Sequence, residues 1–300
     1  MPDSTTQRRE KAFLFFSVDI VDSTGYKARY LDRWAQDFAS FLEDFPKAFD
    51  RECECVSLKD WRKQLLPHAR PWKVAGDEIL FYVDIAAAYD ELKDERPKRY
   101  ELVLYYTIAI ASAIKGYNRR ADQSLTANEG AFLVKGTAWF ANIAPAPVYD
   151  GRCGNIIVDL PPGKEHDGRG PDFIGRQIDI GFRITEYASS NRLVISVEYA
   201  ILLLRDNYLT VEDAELGLYF EGRRPIRGIL EHLGYPVVYI DMGDRFVHSE
   251  YELEQKHVCR ANAVSLMRFL QEYIKRSNSL LTYPFIADDP LFGEAQPDTG

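Results

Sequence analysis

Residues 13–24 read FLFFSVDIVDST, a short apolar strand that breaks into polar residues around Asp19. Residues 72–83 read WKVAGDEILFYV, and there Asp77 interrupts the apolar pattern in the same way. A carboxylate within an apolar strand is costly to bury unless something compensates its charge. A turn cap would explain either aspartate alone, but two of them at strand–turn edges favour a pair of hard cations such as Mg²⁺ or Mn²⁺. These ions prefer oxygen ligands and bind through one or two carboxylates plus phosphate groups.

The composition is that of a globular protein with an acidic surface. The chain has 300 residues, enough for one large domain or one domain with appendages. Hydrophobic residues make up 46% of the chain, which is sufficient for a core. The net charge of -9 excludes a generic nucleic-acid binder with a basic face. A bound phosphate must therefore be held by local positive charge.

The sequence also argues against a membrane protein and against a zinc-binding protein. No apolar run is long enough to span a membrane, and the N-terminus lacks the apolar segment of a signal peptide. The sequence therefore predicts a cytoplasmic protein without stable membrane association. The cysteines and histidines do not have the spacing of zinc ligands, so the sequence predicts free thiols and no zinc site. These residues are Cys53, Cys55, Cys153, Cys259, His68, His166, His232, His248 and His257.

The hydrophobic pattern predicts strands and helices that alternate without strict βαβ regularity. Strands are predicted at 11–18, on both sides of a tight turn at 75–78, and at 130–141, 155–160, 193–197, 217–220 and 236–241. Helices are predicted at 25–50, 85–93, 100–117 and 173–188, from 199 onward, and within 249–277. This favours an α/β (α+β) sandwich with helices packed on the sheet, of the β-α-β-β-α-β kind. Residues 1–10 are expected to fray, 11–243 to form one domain, and 244–300 to form a C-terminal helical extension and tail.

The residues after Asp19 are candidates for phosphate binding. The chain continues through Ile20, Ser23 and Thr24 into a predicted helix. Backbone N–H groups at a helix N-terminus form a natural phosphate cradle. Ser23 or Thr24 could cap that helix instead, and both roles are compatible.

Four other charged residues are candidates for the same site. Lys73 shares the predicted hairpin with Asp77 and is either a ligand contact or a solvated edge charge. Asp172 begins the predicted helix that carries Asp179 and Arg183 four residues apart on one face. As a surface ion pair, Asp179 and Arg183 would contribute at most a fraction of ~1 kcal/mol. Arg227 lies just before a predicted strand, and arginine is well suited to bidentate phosphate contact.

Four segments, in the order of the chain, resemble the class III nucleotidyl cyclases over residues 11 to about 241. Residues 17–24 resemble the first metal strand of the family, and residues 73–77 resemble its second metal hairpin with a base-reading position. Residues 172–183 resemble its base-reading and transition-state helix, and residues 226–228 its triphosphate-contacting segment. The resemblance implies a ferredoxin-like palm, with a mainly antiparallel sheet and helices packed on it.

The resemblance also implies a two-metal site. Asp19, Asp77 and the carbonyl of Ile20 would bind two divalent ions, Mg²⁺ or Mn²⁺. One ion would help to activate the ribose 3′-hydroxyl, and the other would hold the triphosphate. Arg183 would stabilise charge in the transition state, and Arg227 would hold the terminal phosphates.

The remaining implied roles concern the base, the ribose and a second copy of the chain. Lys73 and Asp172 would read the base edge. Asp179 stands where the family usually has Asn, which contacts the ribose, and Arg227 replaces the usual Lys. In the family, the metal residues and the base and arginine residues face each other across a head-to-tail dimer. Both halves are present here, which implies a symmetric homodimer with two shared sites.

Within this family, the chain looks most like the bacterial pyrimidine cyclases of the Pycsar anti-phage systems. The features that carry this resemblance are the layout without a preceding module, the 72–81 strand and the divergent Asp179 helix. Those enzymes convert UTP or CTP to cUMP or cCMP, which a separate effector protein detects. The base chemistry leaves the substrate open, because a lysine donor and an aspartate acceptor fit adenine, cytosine and uracil. The resemblance alone favours UTP. The space left by a smaller pyrimidine could be filled by Trp61, Trp72, Tyr149 or Phe173.

Other interpretations remain open. The chain could be an adenylate cyclase that converts ATP to cAMP. The AGDEI turn at 75–79 also resembles diguanylate cyclases, but those do not supply a segment like 172–183. A catalytically inactive nucleotide-binding module is a further alternative, separated from the enzyme by metal-dependent turnover. A plain soluble α/β domain would require four ordered matches to arise by chance.

Overall fold

The structure is a computed structural model that describes residues 10–55, 66–92, 101–126, 131–144, 154–158, 171–205, 217–228, 233–243, 259–260, 262–277 and 281–286. Predictions that concern residues 1–9, Trp61, Tyr149 and Cys153 lie outside these ranges. Within them, no helix has both the length and the apolar character needed to cross a membrane.

Ten strands are described, and eight of them form one sheet. They are β1 (Lys11–Ile20), β2 (Arg70–Ala75), β3 (Glu78–Asp84), β4 (Val134–Ile143), β5 (Asn155–Val158), β6 (Asp172–Gly175), β7 (Arg192–Ile195), β8 (Leu218–Arg224), β9 (Tyr235–Asp241) and β10 (Cys259–Arg260). The large sheet has the order β10-β8-β9-β7-β4-β1-β3-β2, and β5 pairs with β6 separately. Only β4 and β7 run parallel among the described pairs. The predicted mainly antiparallel sheet is confirmed.

Seven α-helices are described beside these strands. They are α1 (Ser23–Arg29), α2 (Trp34–Cys55), α3 (Ile85–Glu91), α4 (Glu101–Thr126), α5 (Arg176–Ile184), α6 (Val197–Leu204) and α7 (Ala263–Arg276), with a short 3₁₀ turn at Thr185–Tyr187. Helix α4 continues to Thr126, beyond the predicted end near residue 117. The predicted alternation of strands and helices is confirmed, although several boundaries differ.

Strand β1 separates two hydrophobic layers. Leu14, Phe16 and Val18 belong to the main core, which includes buried residues of α2, α4 and α6. Phe13 and Phe15 point to the opposite face and join a smaller cluster. Successive strand residues face opposite sides of a sheet, so an uninterrupted apolar strand indicates burial on both. The smaller cluster, here called the aromatic cluster, comprises Phe13, Phe15, Trp72, Tyr82, Trp139 and Phe173 with Leu80, Ala141, Ile143 and Ile178.

The single helix predicted for residues 25–50 is wrong, because the chain turns between α1 and α2. Tyr30 leaves helical geometry, with φ -124° and ψ 57°. The ring of Tyr26 then stacks on Phe38, with centroids 5.9 Å apart. In one continuous helix these residues would be separated by about 18 Å along the axis. The aromatic periodicity continues through the break, so the sequence pattern did not indicate it.

The helix predicted for residues 173–188 begins later than expected. Asp172 lies in strand β6, which pairs with β5, and α5 begins at Arg176. Gly175 has φ 149°, and a Cβ there would overlap the carbonyl of Gly154. This close backbone approach requires glycine and separates the strand from the helix.

The predicted C-terminal helix is also only partly correct. Cys259 and Arg260 form the edge strand β10 against β8, and the helix occupies Ala263–Arg276. Residues 249–258 and 261 of that prediction lie outside the described ranges. Leu266 and Leu270 of α7 are buried in the main core.

Candidate active site

Asp19 lies near the end of β1, between two charged neighbours on adjacent strands. It is opposite Glu78 of β3 and Lys135 of β4. The Lys135 ammonium is 3.3 Å from Asp19 Oδ2, and these side chains are 24% and 25% exposed. Burial raises the pKa of the Asp19 carboxyl, and the charge of Asp77 raises it further, while Lys135 and the Ile20 backbone N–H oppose the shift. The site therefore concentrates negative charge that one lysine only partly compensates.

Asp77 occupies the tight turn between β2 and β3, as predicted. Ala75 pairs with Glu78 across the turn, and Gly76 has φ 71°, a conformation that favours glycine. The turn brings Asp77 close enough to Asp19 for its charge to affect the Asp19 pKa. Two aspartates that are 58 residues apart in sequence thus share one end of the β1–β3 strand pair.

Glu78 and Ser17 were not among the predicted site residues. The Ser17 hydroxyl donates a hydrogen bond to Glu78 Oε1. Burial raises the pKa of the Glu78 carboxyl, and the Ser17 hydrogen bond acts in the opposite direction. A serine within the apolar run 13–20 was the available sequence signal, but its partner depends on the β1–β3 register.

These residues fit a divalent cation that is completed by a phosphate ligand. The described residues contain no cluster of three or more His, Cys, Asp or Glu side chains that would form a metal site by themselves. Magnesium, however, commonly uses one or two carboxylates and takes its other ligands from phosphates and water. Asp19 and Asp77 supply two such carboxylates, and burial together with the charge of Asp77 raises the pKa of Asp19.

A second group of polar residues surrounds Asp172. Its Oδ1 accepts hydrogen bonds from Trp72 Nε1 at 2.9 Å, Lys73 Nζ at 3.0 Å and the Phe173 amide at 3.0 Å. No donor among the described residues contacts Oδ2. Partial burial would raise the pKa of Asp172, but these hydrogen bonds and the Lys73 charge hold it below its usual value. Asp172 is therefore an ionised acceptor, with one oxygen that has no donor among the described residues.

A β-bulge places Trp72 in this group. The register of β2 against β3 shifts between Pro71 and Lys73, so Trp72 is the extra residue. Its ring is buried in the aromatic cluster, 5.1 Å from Phe173, and Lys73 Nζ lies 4.1 Å from the indole centroid. Trp72 and Phe173, two of the rings predicted to fill space beside the base, thus lie next to Lys73 and Asp172.

Helix α5 presents Asp179 and Arg183 on an exposed face. In the described part of the chain no ion pair joins them. Arg183 instead donates a hydrogen bond to the carbonyl of Arg227. Gly228, with φ 74°, lies beside the Arg183 guanidinium, so the 226–228 turn approaches α5 closely. The two predicted phosphate-contacting arginines are therefore adjacent.

Ser23 and Thr24 do not cap α1, contrary to one predicted role. Asp22 is the N-cap residue, with φ 52°, and its side chain accepts from the Gly25 amide. Ser23 and Thr24 are the first two residues of the helix. Asp22 also pairs with Arg29 at 3.0 Å, which makes it a structural residue.

The predicted residues therefore form two sets in one chain. Asp19, Ile20 and Asp77 lie at one end of β1 and β3, while Lys73 contacts Asp172 and Arg183 contacts Arg227. No hydrogen bond or ion pair in the described ranges joins the two aspartates to either contact. A reaction that needs both sets must bring them together around a bound ligand or a second chain.

Comparison with solved structures finds a similar fold in an adenylyl cyclase, with weaker matches to guanylyl cyclases. The adenylyl cyclase CyaB from P. aeruginosa matches with a TM-score of 0.51 and 12% identity, over 79% of this chain and 96% of that chain. The guanylyl cyclase Cya2 matches with a TM-score of 0.47 and 10% identity, over 77% and 91%. The guanylate cyclase domain of RhGC from Catenaria anguillulae matches with a TM-score of 0.45 and 13% identity, over 77% and 96%. No protein-family model and no curated protein sequence matches the chain. The chain therefore shares the fold of the CyaB domain.

Proposed function

We propose that this protein is a nucleotide cyclase that converts UTP or CTP to the 3′,5′-cyclic monophosphate and pyrophosphate. The observation that carries the proposal is the placement of Asp19 and Asp77 at one end of paired strands in a cyclase fold, with Lys73 bound to Asp172 on the same hairpin edge. One set of residues is suited to cations and phosphate, and the other to a base. A cyclase needs both.

The reaction is an in-line displacement at the α-phosphorus. The ribose 3′-oxygen forms the new bond to phosphorus, the hydroxyl loses its proton, and the bond to the bridging oxygen of the β-phosphate breaks. Asp19 and Asp77, with the Ile20 carbonyl, would hold two divalent cations. When bound, such cations activate the hydroxyl and neutralise charge on the triphosphate.

The arginines and Asp179 have separate roles in this scheme. Arg183 stabilises the negative charge that develops on the α-phosphate oxygens. Arg227 contacts the terminal phosphates through its guanidinium, which suits bidentate phosphate binding. The Asp179 carboxylate accepts a hydrogen bond from a ribose hydroxyl, whereas an asparagine at this position could also donate. Ser23 and Thr24, in the first turn of α1, contact the phosphates.

The Lys73–Asp172 pair reads the base. Lys73 retains N–H donors beyond the one given to Asp172, and Asp172 Oδ2 accepts from no donor in the described ranges, so it can accept from a base. Uracil can present O4 to the lysine and its N3–H to the aspartate, and cytosine can present N3 and its amino group. The rings of Trp72 and Phe173 lie beside the pair, 5.1 Å apart, and would reduce the space for a purine if the base binds against them. The resemblance to Pycsar cyclases favours UTP over CTP.

The two sets of residues would meet across a head-to-tail homodimer. Asp19 and Asp77 of one copy would face Lys73, Asp172 and Arg183 of the other, giving two shared sites. The cyclic product would act as a second messenger in anti-phage defence and would be detected by a separate effector protein.

The deciding experiment incubates the purified protein separately with UTP, CTP, ATP and GTP, each with Mg²⁺ or Mn²⁺, and identifies products by mass spectrometry. The expected result is a cyclic pyrimidine monophosphate with pyrophosphate. Formation of cyclic AMP would support the cyclase reaction but would show that the substrate is ATP instead of a pyrimidine nucleotide. No product from any nucleotide would favour an inactive nucleotide-binding module.

A pair of variants then tests the metal assignment. Asp77→Ala should abolish cyclisation without changing the melting temperature, because Asp77 occupies an open turn. Asp44→Ala is the matched control, since Asp44 is an exposed aspartate of α2. Retained turnover in Asp77→Ala would contradict the assignment.

A further inference from the structure

Residues 281–286, here called the C-terminal strap, return to the central sheet beside β4. Asn142 holds the strap through both ends of its amide, because Nδ2 donates to the Phe285 carbonyl at 2.7 Å and Oδ1 accepts from the Phe285 amide at 3.2 Å. Leu281 and Ile286 are buried in the main core. The strap is therefore bonded and packed, although it lies 143 residues from Asn142 in sequence.

Gln177 connects the strap to helix α5. Its Nε2 donates to Thr282 Oγ1 at 3.0 Å and to Glu198 Oε1 at 3.3 Å. Its Oε1 accepts hydrogen bonds from the backbone N–H of Asn142 at 3.1 Å and from Asn155 Nδ2 at 2.6 Å. One buried side chain thus joins the strap, β4, β5 and α6.

Gln177 is in the first turn of α5, the helix that carries Asp179 and Arg183. Its backbone N–H is also held, by Asn155 Oδ1 at 3.0 Å. Arg183 lies six residues further along, which is about 9 Å of helix. Because a helix of this length moves nearly as a rigid rod, a shift of Gln177 would move the Arg183 side chain.

We propose that the C-terminal strap is a positioning element for α5, and that Gln177 and Asn142 are positioning residues that aim Arg183 at the reacting phosphate. This rests on the proposed cyclase function for its catalytic consequence, but not for the mechanical link between strap and helix. Buried polar networks specify one arrangement because each broken bond leaves an unsatisfied group. The proposal gives the C-terminal residues a role in the site without contact with substrate.

The test uses the full-length protein and three variants. Asn142→Ala removes both bonds to Phe285, and Thr282→Val removes the acceptor for Gln177 with little change of shape. Tyr283→Phe is the matched control on the same strap, since the Tyr283 hydroxyl contacts only Gln271 of α7 among the described residues. Hydrogen exchange of the α5 amides, with α4 as an internal reference, is measured alongside kcat and KM.

Asn142→Ala and Thr282→Val should accelerate exchange in α5 but not in α4, with Tyr283→Phe unchanged. For Asn142→Ala, kcat should fall by roughly 10- to 100-fold, because displacement of a catalytic group by about 1 Å can cost that much. KM should change less than kcat, because Lys73, which reads the base in the proposed scheme, lies on the β2–β3 hairpin and not on α5.

Two outcomes would overturn the proposal. One is unchanged α5 exchange in both variants. The other is normal kcat despite faster exchange, which would leave the strap with a structural role only. If Asn142→Ala does not fold, Thr282→Val decides alone. If the wild-type protein turns over no nucleotide, the proposed function fails, while α5 exchange still decides whether the strap positions the helix.

Discussion

The pKa values of the aspartates at the candidate site depend on neighbours from other strands. Asp172 is ionised because Trp72, Lys73 and the Phe173 amide all donate to one of its oxygens. Asp19 has its pKa raised by burial although Lys135 is beside it. Under the proposed function, the same residue type would serve as a base-reading acceptor in one place and as a cation ligand in another.

At the residue scale, Arg183→Ala should lower kcat by about 10²- to 10³-fold, because it removes charge stabilisation that acts in the transition state. Steady-state kinetics with the preferred nucleotide measure this effect. Arg268→Ala, which removes an exposed arginine on α7, is the control. An increase in KM with unchanged kcat would mean that Arg183 only binds substrate.

At the scale of elements, α5 depends on close packing against β4. A Cβ at Gly181 would overlap the ring of Trp139, which is fully buried. Glycine at this position lets the helix lie directly on the indole, and Phe182 packs on the same ring at 5.7 Å. The position of α5 is therefore set by a small residue as well as by the network at Gln177.

Gly181→Ala should destabilise the protein by roughly 1–3 kcal/mol, because the added methyl group forces α5 away from Trp139. Gly116→Ala is the matched control, since Gly116 is also helical but a Cβ there meets only the end of Arg120 at 4.0 Å. It should stabilise the protein by up to about 1 kcal/mol through helix propensity. Urea unfolding measures both, and equal effects would contradict the packing argument.

At the scale of the whole molecule, no hydrogen bond or ion pair among the described residues joins the two sets of predicted site residues. A head-to-tail pair would complete each site from two copies. The buried core also contains an ionisable group, Glu198, which is 1% exposed and whose Oε2 has no hydrogen-bond partner in the described structure. Assembly and pH should therefore each affect the entire protein.

Mixing Asp77→Ala chains with Arg183→Ala chains should restore activity that neither variant has alone. Random pairing makes half of the dimers mixed, and each mixed dimer has one intact site, so about a quarter of wild-type activity is expected. Turnover is measured after co-refolding or co-expression. Failure to recover activity would indicate that each site is built within one chain.

Glu198 should make stability depend on pH between about 5 and 7. Burial raises its pKa from 4.5 to about 7, and the nearby titratable groups are Tyr235 and Tyr273. The folded state therefore binds a proton in a range where the unfolded state does not, so this group lowers stability as pH rises from about 5 to 7. The slope reaches at most about 1.4 kcal/mol per pH unit. Glu198→Gln should remove this pH dependence of the free energy of unfolding, which urea titrations at several pH values measure. The same pH dependence in the wild-type protein and the variant would contradict the assignment.

Local sequence determined much of this protein. The apolar runs around Asp19 and Asp77 predicted β1 and the β2–β3 hairpin, because strand periodicity and a Gly-Asp turn are local properties. The sequence also identified Lys73, Asp172, Arg183 and Arg227 as site candidates. Only the tertiary structure decided the partners of those residues, since they depend on strand register and on contacts between distant segments. The Ser17–Glu78 bond, the bulge at Trp72, the break between α1 and α2, and the strap at Asn142 all arise in this way.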